Sequence, residues 1–182
     1  YRPKRKTRAS VAKAKGLEPL ALEILKQQND FEPENVALAY INDEVASADE
    51  AVAGACDIIA EMISDDANVR RQLRYMCRAH GKVSVCAAAE ELGVYENYRE
   101  YSEPVSKIAN HRILAINRGE KENALKVSID LEKTLGLSVP LGLYVRGDSK
   151  ASQLVRDAAE DAYSRLVFPS IEREIRNDLT ER

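Results

Sequence analysis

The sequence predicts a mainly α chain: a multi-helix scaffold with one minor β strand or hairpin near residues 125–145. Three observations lead there. Apolar residues recur at spacings of three and four in successive windows. Helix-start signals precede several of those windows. The clear apolar–polar alternation is Leu125, Val127 and Ile129, a strand signature. Composition agrees, with 45% hydrophobic and 31% charged residues, no Trp and two Phe, so that packing rests on Leu, Ile, Val and Ala.

In chain order, a first helix runs from Thr7 to Lys15, with Gly16 at the position after its end where a left-handed residue is needed. Pro19 then fits the first turn of a second helix, which tolerates its missing N–H, and Leu20, Ile24 and Leu25 form its apolar stripe. Asn29 to Pro33 is a turn, and a third short helix covers Glu34 to Tyr40. Ser47 and Glu50 make a capping box. The helix behind it sets Val52, Cys56, Ile59 and Ile63 on one face. Asp65 and Asp66 end that helix and cap the next, where Val69, Leu73, Met76 and Cys77 keep the period up to Gly81. The two helices are expected as an antiparallel pair.

Lys82 to Cys86 reads as strand or helix, and Ala87 to Leu92 leans helical before Gly93. Tyr95, Tyr98 and Tyr101 share one side of a helix, as a packed edge in preference to a base-stacking platform. Asn110 caps a helix carrying Ile113, Leu114 and Ile116 that stops near Gly119. Gly136 to Gly147 is loop with a short strand. Ser149 opens a long helix bearing Leu154, Ala158, Ala162, Leu166, Ile171, Ile175 and Leu179, which Pro169 must kink or split. The chain thus divides into an N-terminal helical part (1–66), a middle part (66–110) and a final part (111–182). Because it opens on Tyr1, it is expected to be a piece of a longer protein.

The chemistry-bearing residues argue against an enzyme. His80 and His111 are the two histidines, and neither sits in a metal-ligand spacing. Phosphate-binding glycine loops and nucleophile elbows are missing, so no cofactor is expected. Cys56, Cys77 and Cys86 match no zinc spacing and suit a reducing cytoplasm as mostly buried thiols. No apolar run reaches a membrane span, and no apolar stretch follows the basic start as in a signal peptide.

Charge is more informative. The first fifteen residues hold seven basic side chains (Arg2, Lys4, Arg5, Lys6, Arg8, Lys13 and Lys15) and no acid, while the chain as a whole sums to −3. A basic end on an acidic body is an electrostatic footprint of polyanion contact, with a solvated surface run as the plain alternative. Arg70, Arg74 and Arg78 form a four-residue row on one helix, readable as an ion-paired face or as phosphate contacts. The candidate nucleic-acid contacts are therefore Lys4, Arg5, Lys6, Arg8, Arg70, Arg74 and Arg78. Arg112, Arg118, Glu120 and Glu122 read as a structural bracket rather than a site.

Four blocks in series carry a family resemblance. They are Tyr1 to Ala9 with Ala14 to Ala21, then Ala51 to Glu61, His111 to Glu122, and Pro169 to Arg176. In order and over nearly the whole chain, they resemble the Tex family of bacterial transcription accessory proteins. The resemblance implies the helical region that precedes a YqgF-type RNase-H-like domain, with a helix–turn–helix-like element assigned here to 66–110. It also implies a cytoplasmic protein that acts with the transcription machinery and binds nucleic acid, RNA or DNA, chiefly through a C-terminal S1 domain. The YqgF-like and S1 domains are not in this chain and would be supplied in cis. A eukaryotic transcription elongation factor shares that architecture. One departure stands out: Cys86 to Glu91 occupies a stretch that is usually rich in Gly and Lys in the family. The rival reading is a protein–protein scaffold that docks neighbouring domains.

Overall fold

The structure is a computed structural model that describes residues 6–181. Its elements fall into two units. One comprises the chain up to Val69 together with Leu137–Val167, and the other comprises Arg70–Gly136 and the chain from Phe168 onward. These units do not coincide with the three sequence segments, because the chain crosses from one to the other inside helices, where no turn signal marks the passage.

In the first unit, Thr7 opens α1 (Arg8–Ala14): its Oγ1 accepts from the Ser10 amide while the Thr7 amide donates to Ser10 Oγ. Gly16, at φ +83°, supplies the left-handed residue after the helix end. Then come α2 (Glu18–Leu25) and α3 (Pro33–Ala37), the latter running into a 3-10 turn. Helix α4 (Ala48–Asp65) packs against α1, α2, α3 and α8 (Lys150–Asp161), so it buries more than one stripe. Ala51, Ala55, Ile58, Ile59, Ala60 and Ile63 are all at most 1% exposed, whereas Val52 and Cys56, expected on the buried face, are only partly buried. The expected antiparallel pairing with the following helix is therefore not what covers α4.

The stretch expected as a loop after Gly136 is helical: α7 spans Lys133–Tyr144 with Pro140 inside. Leu137, Val139 and Pro140 are buried. Burying two aliphatic side chains yields about 1.5–3 kcal/mol each, which offsets the roughly 3 kcal/mol that an interior Pro costs. Gln27, itself in a left-handed conformation, closes this helix: Nε2 donates to the Tyr144 carbonyl and Oε1 accepts from the Arg146 amide, both at 2.7 Å. Ser149 caps α8 as expected. A π-helical stretch (Ala162–Val167) leads into α9 (Phe168–Thr180). The buried residues Ala158, Ala162, Val167, Ile171, Ile175 and Leu179 step by four except across this stretch, where the step is five. That is the π period, and Pro169 follows directly, its clashing carbonyl (Arg165) lying within the wider turn.

In the second unit, β1 (Lys82–Ala87) is the middle of an antiparallel sheet between β2 (Glu100–Pro104) and β3 (Leu125–Asp130). The fold is thus mainly α with a minor β element, as expected, and the Leu125 strand is present. Pairing of Val83 with Ile129 and of Val85 with Val127 and Tyr101 collects the apolar side chains on one face. Helices α6 (Asn110–Lys121) and α9 pack on β3. Lys82, Cys86, Ser102, Lys126 and Ser128 are exposed. Lys82 to Cys86, readable as strand or helix, resolves as strand because two neighbours satisfy its backbone. Three local expectations need correcting. Ala88 to Leu92 is irregular, not helical. The tyrosines do not share a helix: Tyr95 and Tyr98 lie in a 3-10 helix (Gly93–Tyr98) and Tyr101 in β2. Asn110 is the first helical residue, and Ala109 before it makes no side-chain cap.

Candidate nucleic-acid interface

Helix α5 (Ala67–His80) begins at Asp66, whose Oδ1 accepts from the Asn68 amide at 2.8 Å. Val69, Leu73 and Cys77 form its sealed stripe, each 0% exposed. That stripe turns the neighbouring row, Arg70, Arg74 and Arg78, toward α9, where Ser170, Glu174 and Asp178 repeat the same four-residue spacing. Arg70 Nη1 donates to Ser170 Oγ at 3.1 Å and lies 3.5 Å from Glu174 Oε1. Arg74 grips both carboxylate oxygens of Glu174, through Nε to Oε2 and through Nη2 to Oε1 at 3.3 Å. Arg78 Nη2 reaches Asp178 Oδ2 at 2.7 Å. The Arg74 hydrogen bond is the main reason that the Glu174 carboxyl sits below the usual carboxylate range, with Arg70 adding to it. The row thus forms the rungs of an ion ladder, and a phosphate reaching it would have to displace carboxylates.

Of the amino-terminal candidates, Lys4 and Arg5 lie outside the described residues. Lys6 and Arg8 are exposed, Arg8 at the start of α1. In sequence this cluster has no acidic neighbour, but the fold brings some. Thr7 donates to Glu61 at 2.8 Å, and Arg8 stands near Asp57 and Asp161. Arg165, bonded to Asp161 at 2.8 Å, is the larger influence there and holds that carboxyl down, with Arg8 assisting. Burial pushes the Asp57 carboxyl up against the opposing pull of both arginines.

Sequence reasoning missed the solvent side of α5. Arg71, Tyr75 and Arg78 stand at i, i+4 and i+7, hence on one side of the helix. Arg71 is exposed, Tyr75 is 70% exposed, and the Arg78 side chain 55%. A cleft of about 380 Å³ lies beside Arg78, lined also by Val105, Ser106 and Leu179. The signal in the sequence was Tyr75, a large aromatic off the apolar stripe and between two arginines. Residues assigned to the second unit number fifteen basic and thirteen acidic, against twelve and seventeen in the first.

The expected bracket takes a definite form. Arg112 bonds Glu103 at 3.0 Å, Glu120 bonds Arg176 at 2.7 Å, and Glu122 accepts from the Tyr95 hydroxyl at 2.8 Å, while Arg118 is exposed. Among the described residues, no group of three or more His, Cys, Asp or Glu is placed to hold a metal ion, and no helix is long and apolar enough to cross a membrane.

Comparison with known proteins decides the family. The family described as Tex central region-like matches residues 28–182. The chain belongs to the Tex family. It is 41% identical to the uncharacterized protein YdcI of Bacillus subtilis over its whole length, which covers 26% of that protein. It is 32% identical to the transcriptional accessory protein Tex of Neisseria gonorrhoeae over 71% of the chain and 17% of that protein. A transcription elongation factor SPT6 homolog of Arabidopsis thaliana is 25% identical over the full chain, which spans 13% of it. The chain thus spans about a quarter or less of the length of these relatives. The Tex match contains all of α5 and α9, while α1, α2 and the basic amino-terminal cluster precede it.

Proposed function

We propose that this Tex-family chain is a non-enzymatic, nucleic-acid-contacting module of a cytoplasmic transcription accessory protein whose YqgF-like and S1 domains are supplied in cis. The observation that carries the reading is the exposed Arg71–Tyr75–Arg78 side of α5, in the unit with the basic surplus. Guanidinium groups match phosphate geometry, and an exposed tyrosine between them offers a face on which any base can stack. Arg70 and Arg74 set the pose of α5 through the ladder, and Arg78 serves both rows, a phosphate there taking the place of the Asp178 carboxylate. Lys4, Arg5, Lys6 and Arg8 add sequence-independent attraction. The Neisseria relative, a transcriptional accessory protein, and the Arabidopsis relative, a transcription elongation factor homolog, support the transcriptional setting.

The test is titration of a labelled single-stranded oligonucleotide at several salt concentrations. Tyr75→Ala is expected to weaken binding by about 1–3 kcal/mol. Arg71→Ala and Arg78→Ala are each expected to reduce the salt slope by about 0.7. Unchanged affinity and slope in all three variants would overturn the reading. A second reading, docking of protein partners, is favoured by the acidic surplus of the first unit.

A further inference from the structure

Two apolar stripes that the sequence assigns to the core stay partly open in the first unit. On α4, Val52 and Cys56 are only partly buried, although Ile59 and Ile63 farther along the same row are 0% exposed. On α8, Leu154 is only partly buried, although Ala158 one turn on is 2% exposed. The open members of both stripes meet. With Pro33 at the start of α3, they floor a groove of about 570 Å³ between α4 and α8.

The rim of that groove is acidic. Glu34, Asp49 and Asp157 line it, and its one lysine, Lys150, is taken up by Glu32 at 2.6 Å. The Cys56 thiol at the floor reports the same field. Burial is the main cause that pushes it up to about 12, and each charged group that adds to this (Asp157, Asp57, Asp161) is an acid. An acidic rim repels phosphate, so this face does not suit nucleic acid. An apolar floor between two helices suits a third helix, laid in through anchors at i, i+3 or i+4, and i+7.

We propose that this groove docks a basic amphipathic helix of a protein partner. Its apolar side chains would seat on Val52, Cys56 and Leu154, and flanking Lys or Arg would face Asp49 and Asp157. The apolar floor would supply affinity and the rim would select the partner's charge and speed its arrival.

The experiment uses the full chain and labelled peptides of about fifteen residues, long enough to form a helix once docked. One carries Leu on one helical face and Lys elsewhere, and a second has Glu in place of Lys. Fluorescence anisotropy is expected to show binding of the Lys peptide and none of the Glu peptide, with methyl NMR shifts at Val52 and Leu154. Leu154→Arg and Asp157→Lys are each expected to weaken binding at least tenfold without moving thermal unfolding. If Leu154→Arg fails to fold, Asp157→Lys on the exposed rim carries the test alone. Equal binding of both peptides would overturn the proposal. So would shifts confined to other methyls, or a dimer in sedimentation that Asp157→Lys dissociates, which would make the occupant a second copy.

Discussion

Cutting the central rung of the α5–α9 ladder gives the sharpest measure of what the arginine row does. Arg74 and Glu174 meet through two hydrogen bonds, with side chains 33% and 38% exposed. Charge-assisted hydrogen bonds contribute about 1.5–3 kcal/mol when well shielded, and fully exposed ion pairs about 0.2–1. At one-third exposure, a coupling of about 1 kcal/mol is expected. Removing Arg74 does not leave Glu174 stranded, because Arg70 lies 3.5 Å away. The loss should therefore stay far below the 3–5 kcal/mol or so of a broken buried pair. The assay is a double-mutant cycle of Arg74→Met and Glu174→Gln by chemical denaturation. Its pH dependence has a definite sign. The Glu174 carboxyl is held below its ordinary range by Arg74, so the coupling is fully present above the unfolded value of about 4.3. It is lost as pH falls through the lower folded value. A coupling near zero at neutral pH, or one that grows in acid, would refute the ladder. If Arg74→Met also reduced the salt slope of oligonucleotide binding by about 0.7, as a lost phosphate contact does, the row would be a ligand surface.

Two other outcomes follow from packing and burial. Gly119→Ala would place a methyl 2.4 Å from Leu125 Cδ1 and 2.8 Å from its Cγ, so overpacking should cost about 1–3 kcal/mol in denaturant unfolding; no loss would mean that α6 does not press on β3 as described. Thiol labelling in mildly alkaline buffer should modify exposed Cys86 first, and Cys56 and Cys77 only slowly. Burial pushes the latter two up to about 12 and about 11, leaving little thiolate. Equal rates by mass spectrometry would contradict that burial.

Local elements were legible where the signal is local. Gly16, Ser47, Asp66 and Ser149 act on backbone groups within a few residues, and each cap or turn stands where its chemistry puts it. The stripe read from the sequence also breaks by five ahead of Pro169, but between Leu166 and Ile171; burial moves the break to Ala162–Val167, because Val167 and not Leu166 is in the core. Helix α7 was not legible. Gly136, Pro140 and Gly142 spell a loop by propensity, and only the burial of Leu137 and Val139 reverses that. Strand β2 was hidden for a similar reason, since its Tyr101 continues the helical spacing of Tyr95 and Tyr98 while its pairing depends on β1.

For the candidate sites the division is the same. The sequence by itself determined the family, the helical class, the residue types and the two basic groups. Tertiary structure decided which of those charges have partners. Glu174 and Asp178 lie 100 residues from Arg74 and Arg78, and no local rule connects them. Tertiary structure also decided that Tyr75 faces solvent and that Val52, Cys56 and Leu154 share one open groove. Exposure and pairing are properties of what the rest of the chain covers, and periodicity assigns a residue to a face without saying what that face meets.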